Sequence, residues 1–219
     1  IRPSRGLGDV YKRQITTLPD KTDKVEFDKI AVLDRFNHQL KSSGLKTVNT
    51  LIPDFSWACS NIDEIKNKFS LKKYILLFPF CSPHLSLKKW PYYNQLIKLI
   101  LEKFGDEYKI ISAPGPSEIA EAEKLDVISI LDNGKAINIS QLTSLVKQSS
   151  FIVANDTGPA HIAAHVGAKG ITLFGKHTTA IKVSIEREKF KPIQVDDLKK
   201  LSAETVSYTH LTLTTNDKV

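Results

Sequence analysis

The sequence predicts a doubly wound α/β domain built on a parallel sheet. Two observations carry that expectation. Six short apolar runs recur between Tyr74 and Val195, the first of them all-apolar as a strand buried on both faces would be. Segments of helical spacing separate them, so each pair of runs reads as a βαβ unit with a right-handed crossover.

Tyr74-Ile75-Leu76-Leu77-Phe78 is the first run, fit for a strand buried on both faces. Pro91 sits at a helix start, and Leu96, Ile97, Ile100, Leu101 and Phe104 form one apolar stripe up to Gly105. Residues 108–112 are the next strand. Ser117 is expected to cap a helix through Leu125, residues 127–131 to form a strand, and Ser140 to cap a helix with Leu142, Leu145 and Val146 inward. Residues 151–154 read as a strand, 159–166 as a helix and 171–174 as a strand, with a last short strand near 192–195. The expected Rossmann-like domain spans 73–205. Residues 15–72 read as the remnant of a preceding domain plus a linker. Within them Ile30-Ala31-Val32-Leu33 suits a strand, and Trp57 and Phe69 suit core or domain-contact positions.

The chain contains no methionine and starts at Ile1, so it reads as a fragment. Its ends, RGLGDVYKRQ and VSYTHLTLTTNDKV, resemble translated sequencing-adapter read-through. Tyr11-Lys12-Arg13-Gln14 continues no pattern, and the helix opening at Ser202-Ala203-Glu204 is expected to break off into a Thr-rich tail. Residues 1–14 and 206–219 are therefore read as non-native. The net charge is +7, of which Arg2, Arg5, Lys12 and Arg13 against Asp9 supply +3 and the body the remaining +4. That charge is dispersed on helix faces such as Asp63, Glu64, Lys66 and Lys68, which argues against nucleic acid. It still suits an anionic substrate or a peripheral contact with an anionic membrane. No run of about 18 apolar residues is present, and no apolar leader segment is seen. Cys59 and Cys81 lack metal-ligand spacing and read as free thiols of a reducing compartment. The expected location is cytoplasmic, at the inner face of the cytoplasmic membrane.

Chemistry concentrates in residues 151–175, FIVANDTGPAHIAAHVGAKGITLFG. The apolar strand stops at Asn155-Asp156-Thr157-Gly158-Pro159, and a helix opens there. Ligands of open α/β sheets bind beyond the carboxyl ends of the strands. A helix start offers unpaired N–H groups and the positive end of a dipole, Gly158 admits close approach, and Pro159 costs no hydrogen bond. The stretch fits a phosphate. Read from spacing alone, it fits a cap and a turn equally well. Asp156 can cap the helix or bind ligand hydroxyls, and His161 can lean into the same pocket. His161 and His165 stand four apart, but Ile162 occupies the place where a zinc-protease helix needs Glu, so no metal site is expected.

NDTGPAHIAAHVGAKGITLFG closely resembles the C-terminal signature of glycosyltransferase family 9, the ADP-heptose:lipopolysaccharide heptosyltransferases and their relatives. Lys88-Lys89-Trp90-Pro91 resembles that family's Lys-x-Trp-Pro element, and Gly115-Pro116-Ser117-Glu118 its Gly-rich turn, with Pro116 in place of a second Gly. The resemblance implies the C-terminal half of a GT-B glycosyltransferase, which binds the donor nucleotide-sugar. It implies that Thr157 and Gly158 hold the phosphates through N–H and hydroxyl groups, with Pro159 in the same donor-binding turn, and that Lys88 adds a compact positive charge. It implies that Asp156 and His161 touch the sugar or diphosphate, and that Glu118 reaches the ribose or base, although a Glu at a helix start suits the dipole as well. Lys88 and Asp156 are the candidate catalytic residues. Ser82 and Ser86 are the candidate hydroxyls in a loop, Phe80-Cys81-Ser82-Pro83-His84-Leu85-Ser86, that departs from the family pattern.

Sugar transfer also needs a base to take the acceptor's proton. The family resemblance puts it on an Asp in a Gly-x-Gly-Asp-like turn of the N-terminal domain. Gly6-Leu7-Gly8-Asp9 mimics that turn, but only about 80 residues separate it from Lys88, too few for an intervening domain, so the match reads as accidental. The expected function is therefore the donor-binding fragment of an inverting, metal-independent glycosyltransferase that needs no cofactor. Its donor would be an ADP-heptose-like nucleotide-diphosphate sugar and its acceptor a lipid-linked or polysaccharide glycan such as the lipopolysaccharide core. Alone, without its N-terminal domain, the fragment is expected to be inactive. The competing expectation is a non-catalytic nucleotide- or sugar-phosphate-binding module.

Overall fold

The computed structural model describes residues 24–210. Gly6-Leu7-Gly8-Asp9, residues 1–14 and the tail from Leu211 lie outside the described residues. The chain divides into two units, one of residues up to Pro53 with Ile181–Ser184, the other of Asp54–Ala180 with the residues from Ile185.

In the first unit, α1 (Lys24–Lys29) and α2 (Val32–Ser42) are joined by an extended Ala31 at φ −57° and ψ 144°. The strand expected at 30–33 does not form. Leu33, Phe36 and Leu40 recur at helical spacing, and that longer period overrides the short apolar run. The Phe27 ring meets His38 at 5.7 Å.

The second unit begins with α3 (Asp63–Phe69), whose Ile65 is buried. This segment, expected to be linker, is tied in by a reciprocal pair. Ser60 N–H donates to Ser144 Oγ at 2.7 Å, and that hydroxyl donates to the Ser60 carbonyl at 2.6 Å. Phe69 is half-buried, whereas Trp57, expected at a core or domain-contact position, is 84% exposed and so lies outside the core. The sheet strands are β1 (Tyr74–Phe78) and, after α4 (Tyr93–Phe104), β2 (Lys109–Ser112). Helix α5 (Ile119–Ala122) leads to β3 (Ile128–Ser129). A hairpin of β4 (Leu131–Asp132) and β5 (Lys135–Ala136) precedes α6 (Ile139–Lys147). Then come β6 (Phe151–Asn155), α7 (Gly158–His165), β7 (Gly170–Phe174), β8 (Phe190–Gln194) and α8 (Ala203–His210).

The six sheet strands lie in the order β3-β2-β1-β6-β7-β8, all parallel. β1, β6 and β7 are buried along their full lengths, as their apolar runs require. The chain winds outward in one direction from β1 and in the other from β6. The switch point therefore falls between Phe78 and Asn155, and a crevice opens there. Gly170 is fixed by the packing of β7 on β6, since a Cβ there would come within 2.5 Å of the Ile152 carbonyl oxygen.

Several local expectations need correction. The strand expected at 127–131 is split. Ile128 and Ser129 pair with β2, Ile130 is fully buried, and the next two residues turn into the hairpin. Asn133 (φ 50°) and Gly134 (φ 77°) make its two-residue loop, the Asn-Gly pair that accepts positive φ at both positions. Helix α6 is capped by Asn138 and not by Ser140, through a reciprocal box with Gln141 in which each bond is 2.9 Å. Ser117 caps nothing in α5, which is one turn long because Glu118 bonds backward to Gly115. The last helix does not break off near Thr205. It runs to His210, and Val206, assigned to the excluded tail, is fully buried in the core with Leu198, Leu201 and Ala203. Among the described residues no helix is long and apolar enough to cross a membrane.

Candidate functional site

Asn155 and Asp156 end β6 at the switch point. Asn155 is completely buried and fully engaged. Its amide donates to the Pro79 carbonyl at 2.8 Å, while its Oδ1 accepts from the Trp90 N–H and the Tyr93 hydroxyl, each at 3.3 Å. It thereby locks the end of β1 to the start of α4 and anchors both ends of the loop that carries Lys88. Burial pushes the Tyr93 hydroxyl well above the usual tyrosine range, so it stays a donor. Trp90 is packing: it is 1% exposed, its indole N–H donates to the Leu201 carbonyl at 2.8 Å, and its ring meets Tyr93 edge-on at 5.0 Å.

The Asp156 side chain is 4% exposed and sits among three cationic or potentially cationic groups. Lys88 Nζ lies 2.6 Å from its Oδ2. His177 Nε2 lies 3.2 Å from the same oxygen, and His161 Nε2 lies 3.8 Å from Oδ1, beyond hydrogen-bond reach. Burial lowers the His161 pKa more than the neighbouring Asp156 raises it, and Lys88 and Arg187 lower it further, so the ring is neutral at pH 7. The expected gathering of Lys88, Asp156 and His161 is thus seen in space. Lys89 instead pairs with Glu121.

Thr157 is the N-cap of α7 and Pro159 stands in its first turn. The N–H groups of Ala160 and His161 bond back to the Thr157 carbonyl at 3.1 and 3.3 Å, which leaves those of Thr157 and Gly158 at the helix mouth. A Cβ on Gly158 would meet nothing within 4 Å, so the space beside the helix mouth is open. Beside this mouth is an apolar slot of about 740 Å³. Its walls come from Phe80, Ala113, Ile137, Ile139, Gly158 and Ile162 among others. Glu118 lines it, with Oε2 held by the Gly115 N–H at 2.8 Å. Ser82 and Ser86 are exposed at the turn Pro83–Lys88, and neither lines the slot nor touches Asp156. Cys59 and Cys81 are free thiols, and burial raises the pKa of Cys81.

His165 belongs to the scaffold. Its Nδ1 faces Arg187 Nη2 at 3.3 Å, its ring meets Phe55 edge-on at 5.0 Å, and its carbonyl accepts from the Phe55 N–H at 3.0 Å. Burial, reinforced by Arg187 and His161, pushes its pKa down to about 4. Among the described residues no group of three or more His, Cys, Asp or Glu side chains is arranged to hold a metal ion.

His177 is the residue the sequence reading missed. It follows β7 by three positions, and no motif marks it. The available signal was topological: β7 lies next to β6, so the first polar residues after Phe174 emerge beside Asp156.

The parallel sheet with its flanking helices has the Rossmann-like fold seen in GT-B glycosyltransferases. The chain belongs to glycosyltransferase family 9 (heptosyltransferase), whose family model matches residues 11–193. Its fold is similar to that of E. coli heptosyltransferase WaaC, solved with ADP, at 20% identity and a TM-score of 0.58 over 80% of this chain and 54% of that one. E. coli ADP-heptose LPS heptosyltransferase II is similar at 17% identity and a TM-score of 0.59, over 84% of this chain and 62% of that one. A family 9 glycosyltransferase from Veillonella parvula is similar at 16% identity and a TM-score of 0.58, over 81% and 51%. The chain thus spans between half and two thirds of the solved structures it matches. No curated protein gives a significant match.

Proposed function

We propose that residues 73–205 are the donor-binding half of an inverting glycosyltransferase. It would move a sugar, most simply heptose, from an ADP-sugar donor to a lipopolysaccharide-core or related glycan at the cytoplasmic face of the membrane. The observation that carries the reading is the Lys88–Asp156 contact of 2.6 Å at the mouth of α7, beside an apolar slot roomy enough to take a nucleoside. The solved E. coli relatives with ADP and with ADP-2-deoxy-2-fluoro heptose support the choice of donor.

In this reading the base enters the slot between Ile137 and Ile162, and Glu118 accepts from the ribose hydroxyls. The diphosphate meets the Thr157 and Gly158 N–H groups, the Thr157 hydroxyl and the Lys88 ammonium. The acceptor hydroxyl attacks the anomeric carbon from the face opposite the diphosphate. The C–O bond to phosphate breaks as the new glycosidic bond forms, and the electron pair leaves on the diphosphate. Charge builds there, and Lys88 and the helix mouth are pre-placed to stabilise it. The acceptor's proton goes to a base supplied by a preceding domain, so the polypeptide of this sequence binds nucleotide without appreciable transfer.

Calorimetric titration of this polypeptide with ADP tests the reading. ADP binding that weakens on the order of tenfold or more in Lys88→Ala and in Asp156→Ala is expected. Binding of UDP or GDP in preference to ADP would overturn the choice of donor, and indifference to all three would leave Asp156-Thr157-Gly158 as a helix cap.

A further inference from the structure

We propose that His177 is a positioning residue for Asp156: it keeps that buried carboxylate hydrogen-bonded and in place when Lys88 turns from it to the donor diphosphate. The proposal rests on the reading of Lys88 as a diphosphate ligand.

A carboxylate that is 4% exposed must keep a partner, because leaving it buried and unpaired costs several kcal/mol. In the structure two side chains bond to Asp156, and both use Oδ2: Lys88 Nζ at 2.6 Å and His177 Nε2 at 3.2 Å. One ammonium cannot give its full charge to Asp156 and to a diphosphate at once. As Lys88 is drawn to phosphate, Asp156 would face an incoming anion with a single hydrogen bond left, the one from His177. His161 stands 3.8 Å from the other oxygen, beyond hydrogen-bond reach.

The surroundings of His177 fit a fixed donor. An ionised carboxylate only accepts, so Nε2 carries the proton. The ring stacks on Phe174 at 6.0 Å and 18°, at the rigid end of a fully buried strand. The other nitrogen, Nδ1, is buried and has no hydrogen-bond partner among the described residues, so the hydrogen bond the ring makes is the one through Nε2. Lys88 shares the Asp156 oxygen with the ring.

Two readouts test this. The first needs no nucleotide. Long-range ¹H–¹⁵N NMR should show the His177 ring as the Nε2–H tautomer, and Asp156→Ala should shift both ring nitrogens. Coincident ring signals in the two proteins would overturn the proposal. The second is ADP calorimetry. His177→Ala should weaken ADP on the order of tenfold, the size of one charge-assisted hydrogen bond. His177→Gln, whose amide can still donate to Asp156, should recover most of that loss. In an Asp156→Ala background, His177→Ala should change affinity less than about twofold. An undiminished loss in that background, or no recovery with a folded Gln variant, would overturn the positioning role. If the parent chain ignores ADP, the proposed donor falls and the NMR comparison alone decides the role of His177.

Discussion

The two halves of the crevice differ in kind although one helix start separates them. On the charged side, Lys88, His161 and His177 crowd within hydrogen-bond or ion-pair reach of the Asp156 carboxylate. On the other side, Ala113, Ile137, Ile139 and Ile162 line a slot with little polar surface. The charged half is built by the strands, because the ends of β1, β6 and β7 are fixed by ladder bonds and packed cores. The apolar half is built by connections: the Gly115 turn, the hairpin and the start of α6. A rigid charged site beside a loop-built apolar one suits a ligand with a constant anionic part and a flat apolar part. Three perturbations probe that division.

The largest expected effect strikes both halves together, through their shared wall. His165 holds the C-terminal end of α7 and titrates at about 4 in the folded chain because it is buried, against roughly 6.5 unfolded. A depressed histidine makes the unfolded chain bind more protons between those values. Stability is then fully present above about pH 6.5 and lost as pH falls toward 4, by about 3 kcal/mol from this one group. Chemical unfolding at pH 7, 6, 5 and 4.5 should show that slope, and His165→Asn should flatten it while lowering stability at pH 7. An unchanged slope in the variant would remove His165 as the cause.

Next in size is a crossed pair of variants. Lys88→Ala should weaken ADP and inorganic diphosphate alike, each on the order of tenfold or more. Ile137→Asp puts a charge into the slot, and should weaken ADP about tenfold while leaving diphosphate unchanged. Equal losses of both ligands in Ile137→Asp would show that the halves are one site and not two.

The same contrast explains what could be read in the sequence. Strands β1, β6 and β7 were legible because burial on both faces writes an unbroken apolar run. Asp156-Thr157-Gly158-Pro159 was legible because it interrupts such a run where a helix must start. The partner choices were not. Asn155 looks like a strand terminator, yet it bonds Pro79, Trp90 and Tyr93, groups more than 60 positions away in the chain. His177 meets Asp156 only because β7 lies beside β6, a fact of sheet order that local pattern does not contain. The outward placement of Ser82 and Ser86 was not legible for the converse reason. A short irregular turn has no period, so nothing in the sequence says which way its hydroxyls face.

The hairpin gives the smallest expected effect and the finest probe of the loop-built half. Its Asn133-Gly134 loop stands where the apolar run suggested only a single strand through Leu131, and the dipeptide suits it because both residues accept positive φ. Gly134 has φ 77°, and a Cβ there would meet nothing within 4 Å, so substitution is opposed by backbone strain and not by contact. Gly134→Ala should therefore cost about 1 kcal/mol, concentrated in β4 and β5. The hairpin leads directly into Ala136, Ile137 and Asn138 at the slot, while no strand of the charged half pairs with it. Hydrogen exchange should then quicken in residues 131–138 with β6 and β7 unaffected, and ADP should weaken a few-fold with diphosphate binding constant. If exchange quickens in β6 as well, the slot and the charged cluster share one cooperative unit, and the division between them is one of chemistry without being one of stability.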